Sequence, residues 1–153
     1  MSTLQELTDR LDIRDLVERY TLSVTLRDWQ AMGMCFHPNA RWQVASPFDL
    51  DFSTRDGIRD GISGLVSPGE FLVQMTHSVV IDELTPDRAR VRVVLNEIGR
   101  HGEGTGFFLL GVYHDVVTKV EGKWGFESRF FISYYRDESA LPGTVAVDYA
   151  GRH

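Results

Sequence analysis

Four long runs fill the second half of the chain, and they constrain its fold more than any other feature. Residues 71–84, 88–100, 106–119 and 123–136 are rich in Val, Ile, Phe and Tyr, types that fit a pleated, half-buried surface. Only the turn-forming TPDR, HGEG and EGK lie between them. Links that short cannot hold a parallel crossover, so the four runs must form an antiparallel meander.

The first half has a different period. Ile13, Leu16, Val17, Tyr20 and Val24 repeat at the i, i+3, i+4, i+7 spacing of one apolar helix face, which predicts a helix over 4–26. Leu4, Leu7 and Leu11 keep helical spacing too, but at about 100° per residue they point to nearly the opposite side. Either the helix breaks near Thr8–Asp12, or this stripe meets a partner subunit. Asp28 is placed to cap a second helix from Trp29 to about Phe36, ended by His37-Pro38. ARWQVA, residues 40–45, alternates as a strand. A third short helix is expected over 54–66, weakened by the glycines of GIRDGISG. Helices first and strands after mean an α+β fold: N-terminal helices packed on a strongly curved, mostly antiparallel sheet that encloses an apolar pocket. The length suits a single domain over 1–153, with its core at about 4–136 and an irregular tail over 137–153.

Composition removes several function classes. The formal charge is −6 without a Lys/Arg cluster, which argues against nucleic acid or an anionic membrane as partner. The apolar runs fall short of the roughly 20 residues of a membrane span. MSTLQELTDR lacks a basic segment followed by an apolar one, and Cys35 is a lone cysteine. Both point to the reducing cytoplasm, and the latter excludes an intrachain disulfide. His101 and His114 lack partners at metal-ligand spacing, and no phosphate-loop, dinucleotide or GxSxG pattern occurs. Neither a metal nor a cofactor is expected.

Period two then says which side chains share a sheet face. Val91, Val93, Leu95 and Glu97 lie together, so Glu97 ends an apolar stripe; on the first long strand, His77 aligns with Val79 and Ile81. An ionisable group that continues an apolar face is costly unless paired or used, which makes both site candidates. Each also has a plain reading, His77 as a satisfied structural residue and Glu97 as a solvated strand end. Arg129 beside Glu127 reads as a surface residue, and Tyr20 as core with its hydroxyl on a polar partner. On the fourth strand, Trp124, Phe126, Ser128, Phe130 and Ile132 share one side, and Glu127, Arg129, Phe131 and Ser133 the other. Phe107, Leu109, Phe131 and Tyr135 are candidates for an outer face covered in a homo-oligomer, dimer or trimer.

Several segments together resemble the SnoaL-like domains of the nuclear transport factor 2-like superfamily: IRDLVERYTLSVTLRDWQAM, FHPNARW, QMTHSVVIDELTPDRARV and GVYHDVVTKVEGKWGFESR. The resemblance covers about residues 4–136 and implies a cone-shaped α+β half-barrel. Its nearest patterns are those of the scytalone dehydratase, bile-acid 7α-dehydratase and hexachlorocyclohexane dehydrochlorinase branches. It implies a cofactor-independent lyase or isomerase acting on a small apolar ring substrate. In that implication His77 is the base, Tyr20 a hydrogen-bond donor, Glu97 the group that orients or charge-stabilises the imidazole, and Arg129 a holder of negative charge. Trp42, Val44, Phe48, Met75 and Val93 would be the apolar walls. One departure stands out. Such sequences commonly read LDRRD where this chain reads VTLRD, so Thr25 occupies the position of the Asp that orients the base. Losing such a carboxylate costs several kcal/mol of transition-state stabilisation in triad-like sites. Two alternatives follow: a non-catalytic small-molecule-binding or association domain, or a polyketide cyclase-like enzyme with a carboxylate such as Glu97 as base.

Overall fold

Helix α1 (Leu4–Leu26) runs unbroken through the segment where the two apolar stripes diverge, in a computed structural model that describes residues 3–150. Its start is fixed by a reciprocal cap: the Thr3 hydroxyl accepts from the Glu6 N–H, and the Glu6 carboxylate accepts from the Thr3 N–H. One turn on, buried Asp9 accepts from the Trp124 indole at 3.0 Å and pairs with Lys119 Nζ at 2.6 Å. That contact holds the helix to the far hairpin and leaves Leu4, Leu7 and Leu11 exposed. Of the two alternatives for the second stripe, the break is excluded.

Helix α2 (Trp29–Met34) begins as expected, with Asp28 Oδ1 accepting from Ala31 N–H at 3.0 Å. It ends two residues short of Phe36, because Phe36 already opens strand β1 (Phe36–Val44), which includes His37-Pro38. The proline is tolerated where the register of β1 against its neighbour shifts between Phe36 and Arg41. A short strand β2 (Leu50–Ser53), not evident from the pattern, pairs back on β1. Helix α3 (Arg55–Val66) forms despite its glycines, and Gly61 shows why one is needed: a Cβ there would lie 2.5 Å from the Phe52 ring.

The four long runs are β3 (Phe71–Leu84), β4 (Arg88–Arg100), β5 (Gly106–Val120) and β6 (Lys123–Asp137). They form the expected antiparallel meander within one open sheet of order β2-β1-β6-β5-β4-β3, whose β1–β6 pair is parallel. Helix α1 lies along edge strand β3 and satisfies two of its backbone groups. Arg14 donates to Val79 O at 3.0 Å, and Thr25 Oγ1 accepts from Gln74 N–H at 3.0 Å. An edge covered this way cannot recruit a foreign strand.

Four register shifts interrupt the meander. On β3 one extra residue falls between Thr76 and Val79, and Asp82 is extra between Ile81 and Glu83; on β6, Glu127 and Tyr134 are the extra residues opposite Val116–Val117 and Leu110–Gly111. Each bulge reverses the alternation of faces beyond it. Across the bend the sheet is closely packed: a Cβ on Gly111 would sit 2.5 Å from Ile132 O and 2.2 Å from Phe131 Cζ. After β6 the tail from 138 to 150 forms only an isolated bridge, Thr105 to Ala140, among the described residues; 151–153 of the expected tail lie outside them. Among the described residues no helix is long and apolar enough to cross a membrane. Because a backbone carbonyl cannot yield as a side-chain tip can, Gly111→Ala should cost about 2–3 kcal/mol, read as a lowered thermal midpoint against Gly64→Ala, a site where an added Cβ meets nothing within 4 Å.

Candidate functional site

The concave face of the sheet and the inner sides of α1 and α3 enclose a cavity of about 350 Å³, within the range of small-molecule sites. Its walls are aromatic and aliphatic. β1 and the following loop supply Trp42, Val44 and Phe48; α3 supplies Ile62, Leu65 and Val66; β5 and β6 supply Phe107, Leu109 and Phe131. Trp42 is held flat by a stack on Phe52, with ring centroids 5.6 Å apart.

Besides Arg100, His101 and Arg136, two hydrogen-bonded polar groups interrupt this lining. The first is a chain of hydroxyls. Trp42 Nε1 donates to the Tyr113 hydroxyl at 3.0 Å, and the Tyr113 and Tyr20 hydroxyls lie 3.3 Å apart. Three donor hydrogens serve two contacts, so one hydroxyl proton is left over for whatever occupies the cavity. Burial pushes both phenol pKa values up, so both hydroxyls keep their protons.

The second is Glu97 with Gln74, directly opposite each other on β4 and β3. Gln74 Nε2 donates to Glu97 Oε1, while Gln74 Oε1 is buried without a partner. Glu97 keeps some accessible surface where it borders the cavity, yet protein surrounds its carboxyl. Loss of hydration pushes its pKa up to about 7, opposed by the Gln74 hydrogen bond and the charge of Arg136. Arg136, Arg100 and His101 also line the cavity. The Arg136 guanidinium packs over Phe48 and Phe107 and pairs with Glu138; Arg100 pairs with Glu70 and donates to Leu141 O and Gly143 O, pinning the tail.

The expected site residues divide. Tyr20, Glu97, Trp42, Val44 and Phe48 meet in the cavity. His77 does not: it is exposed and absent from the lining. Its alignment with Val79 and Ile81 fails because the β3 bulge intervenes, so the inward positions before it are Gln74 and Thr76. Glu97 therefore orients no imidazole; its partner is an amide. Arg129 is buried outside the cavity, its Nε and Nη2 each 2.9 Å from the Asp115 carboxylate. Its guanidinium lies 3.7 Å from the Tyr113 ring centre and 4.4 Å from that of Tyr20, beneath the hydroxyl chain rather than beside a ligand. It is not a surface residue, because the Glu127 bulge turns Arg129 and Phe131 to the same face as Phe126. Val93 is solid core, and neither Met75 nor Thr25 lines the cavity; the Thr25 hydroxyl is engaged by the Gln74 backbone. Phe107, Leu109 and Phe131 face the cavity too, so only Tyr135 of the proposed outer-face group is exposed.

Pattern reading missed Gln74, Tyr113 and Arg136. Tyr113 carried a signal, because it shares a face with Gly111 and Asp115. Gln74 and Arg136 did not, because a bulge separates each from the stripe that would have pointed to it. Burial pushes the Cys35 thiol up to about 11, far from a nucleophile's range. Among the described residues no group of three or more His, Cys, Asp or Glu is arranged to hold a metal ion.

Comparison with known proteins agrees with this architecture. A family model described as SnoaL-like domain matches residues 5–129. No protein of curated function matches the sequence. Among solved structures, a candidate scytalone dehydratase from Novosphingobium aromaticivorans DSM 12444 superposes with a TM-score of 0.79 at 21% identity, covering 97% of each chain. Hexachlorocyclohexane dehydrochlorinase LinA-type3 from Novosphingobium barchaimii LL02 gives 0.82 at 19% identity, covering 96% of this chain and 99% of the other. At such identities the likeness is one of fold.

Two stability predictions follow from this geometry. Asp115→Ala strands a buried guanidinium and should cost about 3–5 kcal/mol in chemical denaturation. The folded protein also holds the Glu97 proton more tightly than the unfolded chain, whose ordinary value is 4.5. Stability should therefore fall as pH rises from about 4.5 to about 7, by on the order of 3 kcal/mol, and Glu97→Gln should remove that slope.

Proposed function

The chain belongs to the SnoaL-like domain family, with a nuclear transport factor 2-like fold, and from that premise we propose that it is a cofactor-independent lyase or isomerase in which Glu97 is the general base. The observation that carries this reading is a carboxyl with a pKa of about 7 in an apolar cavity that also holds an uncommitted phenol proton. A base is most useful when its pKa lies near the working pH.

The substrate is a small ring compound with a carbonyl. Its oxygen takes the spare proton of the Tyr20–Tyr113 chain as a hydrogen bond, and ionised Glu97 removes a proton from the adjacent carbon. The electron pair of that C–H bond moves into the ring, and the charge gathers on the oxygen facing the hydroxyls. Return of the proton at another carbon makes an isomerase; departure of a β-substituent makes a lyase. A donor aimed at the developing oxyanion supplies about 3–4 kcal/mol in comparable sites. Burial is the main cause of the raised phenol pKa values, with the Glu97 charge adding to it, and Glu97, Tyr20 and Tyr113 all line the one cavity. The dehydratase and dehydrochlorinase names of the structural neighbours fit proton abstraction next to a leaving group.

A second reading, a non-catalytic binding domain, is favoured by Thr25, whose hydroxyl is engaged with backbone and orients no base. A probe that needs only a base separates the two. With 5-nitrobenzisoxazole, whose ring opens when its single acidic C–H is removed, the rate should rise with pH and level off above about 7. Glu97→Gln should lower it at least about a hundredfold, and His77→Ala should leave it unchanged. Binding of the probe without turnover would favour the binding domain, and turnover that survives Glu97→Gln would remove Glu97 as the base.

A further inference from the structure

One end of the cavity carries a cation with open valences. Glu97 on β4 lies directly across from Leu109 on β5, and Leu109 directly across from Arg136 on β6. Arg136 and Phe48 line both the cavity and the open groove beside it, so Arg136 stands at the mouth. The Tyr20–Tyr113 chain lies further in, because Tyr113 follows Leu109 along β5 by about 13 Å of extended strand. Three arginines border the cavity or its floor, and two are committed. Arg129 is enclosed with Asp115. Arg100 commits Nε and Nη2 to Glu70 and Nη1 to the Leu141 and Gly143 carbonyls. Arg136 donates only from Nη2, to a Glu138 side chain that stays 55% exposed; its Nε and Nη1 have no hydrogen-bond partner among the described residues.

The Arg136 guanidinium packs over the Phe48 and Phe107 rings, 4.5 and 4.8 Å from their centres, which leaves its N–H edge as the binding surface. That planar fork matches the two oxygens of a carboxylate. Glu70 and Glu138 already pair with the arginines of the mouth, and Glu97 is within reach of the Arg136 charge. A single negative charge therefore fits here better than the two of a phosphate.

We propose that the ligand is a ring compound bearing a carboxylate, and that Arg136 holds this carboxylate at the mouth while the rings fill the apolar cavity. The inference rests on the function proposed above only in taking the cavity as the ligand site; it does not need Glu97 to be a base. Glu138 is the group that the ligand displaces, and an exposed ion pair of this kind is cheap to exchange. An acid anchored at the mouth enters with its rings towards the Tyr20–Tyr113 chain, so the charge fixes which way round the ligand lies. Arg136 is a specificity-determining residue in this scheme and takes no part in proton transfer.

The test compares 2-naphthoate with 2-acetonaphthone, which keeps the rings and the carbonyl but has a methyl group in place of the charged oxygen, by calorimetric titration. At about pH 6 the acid is ionised and Glu97 keeps its proton. Wild-type protein should prefer the acid by about tenfold. Arg136→Met keeps an apolar stem over the rings; it should bring the two affinities within about twofold and leave that of the ketone unchanged. Glu138→Gln removes the rival carboxylate and should tighten the acid alone by about threefold. Equal affinities in the wild type overturn the proposal without needing any variant to fold. A preference that persists in Arg136→Met overturns the assignment to Arg136, and an acid affinity unmoved by Glu138→Gln overturns the exchange with Glu138. Failure of both compounds to bind overturns this proposal and the cavity reading together, whereas loss of base catalysis with the acid preference intact removes only Glu97 as the base.

Discussion

A sheet can hold a cavity against one of its faces only if it bends, and here the bend is made by inserted residues. The bulges at Thr76–Val79, Glu127 and Tyr134 each leave one residue unpaired and increase the local twist. They curl β3 and β6 around the inner side of α1 and α3. Each also exchanges the two faces of its strand. The same three insertions therefore shape the cavity and choose its lining: Gln74 in place of His77, Phe131 in place of Phe130, and Arg136 in place of Tyr135.

Beneath the cavity, the Arg129–Asp115 pair does the opposite kind of work. Both charges are buried, and each is costly unless the other is present. The guanidinium is sandwiched among Tyr20, Tyr113 and Phe126, so it ties α1 to β5 and β6 through ring faces as well as through charge. With that platform fixed, the Trp42–Tyr113–Tyr20 chain is presented to the cavity from rigid elements. Glu97 lacks such a partner. Its nearest polar neighbour is a neutral amide, and a carboxyl in that setting stays close to half-ionised near neutral pH. One buried ionisable site is locked and the other is poised, and the difference lies in whether the facing residue carries a charge.

The expected fold is the one observed because its signals are long and redundant. The apolar stripe from Ile13 to Val24 spans three turns, and the four strand runs each exceed a dozen residues with minimal links. Short elements were less secure. β2 is four residues long, and Pro38 looked like a helix stop when it sits in an irregular strand opening. In the site, Tyr20 and Glu97 were legible because no bulge separates them from the stripes to which they belong. His77 was misplaced by a single inserted residue.

Local pattern by itself determined the main helices, the meander, the helix cap at Asp28, and the two apolar faces that had to meet. Those follow from propensity and periodicity, which act over a few neighbouring residues. Tertiary structure alone decided which polar groups share the cavity. A bulge leaves little trace in composition, since its location depends on how one strand registers against another some tens of residues away. Whether Arg129 is a surface charge or a buried brace, and whether Glu97 faces a histidine or a glutamine, are settled only once those strands are paired.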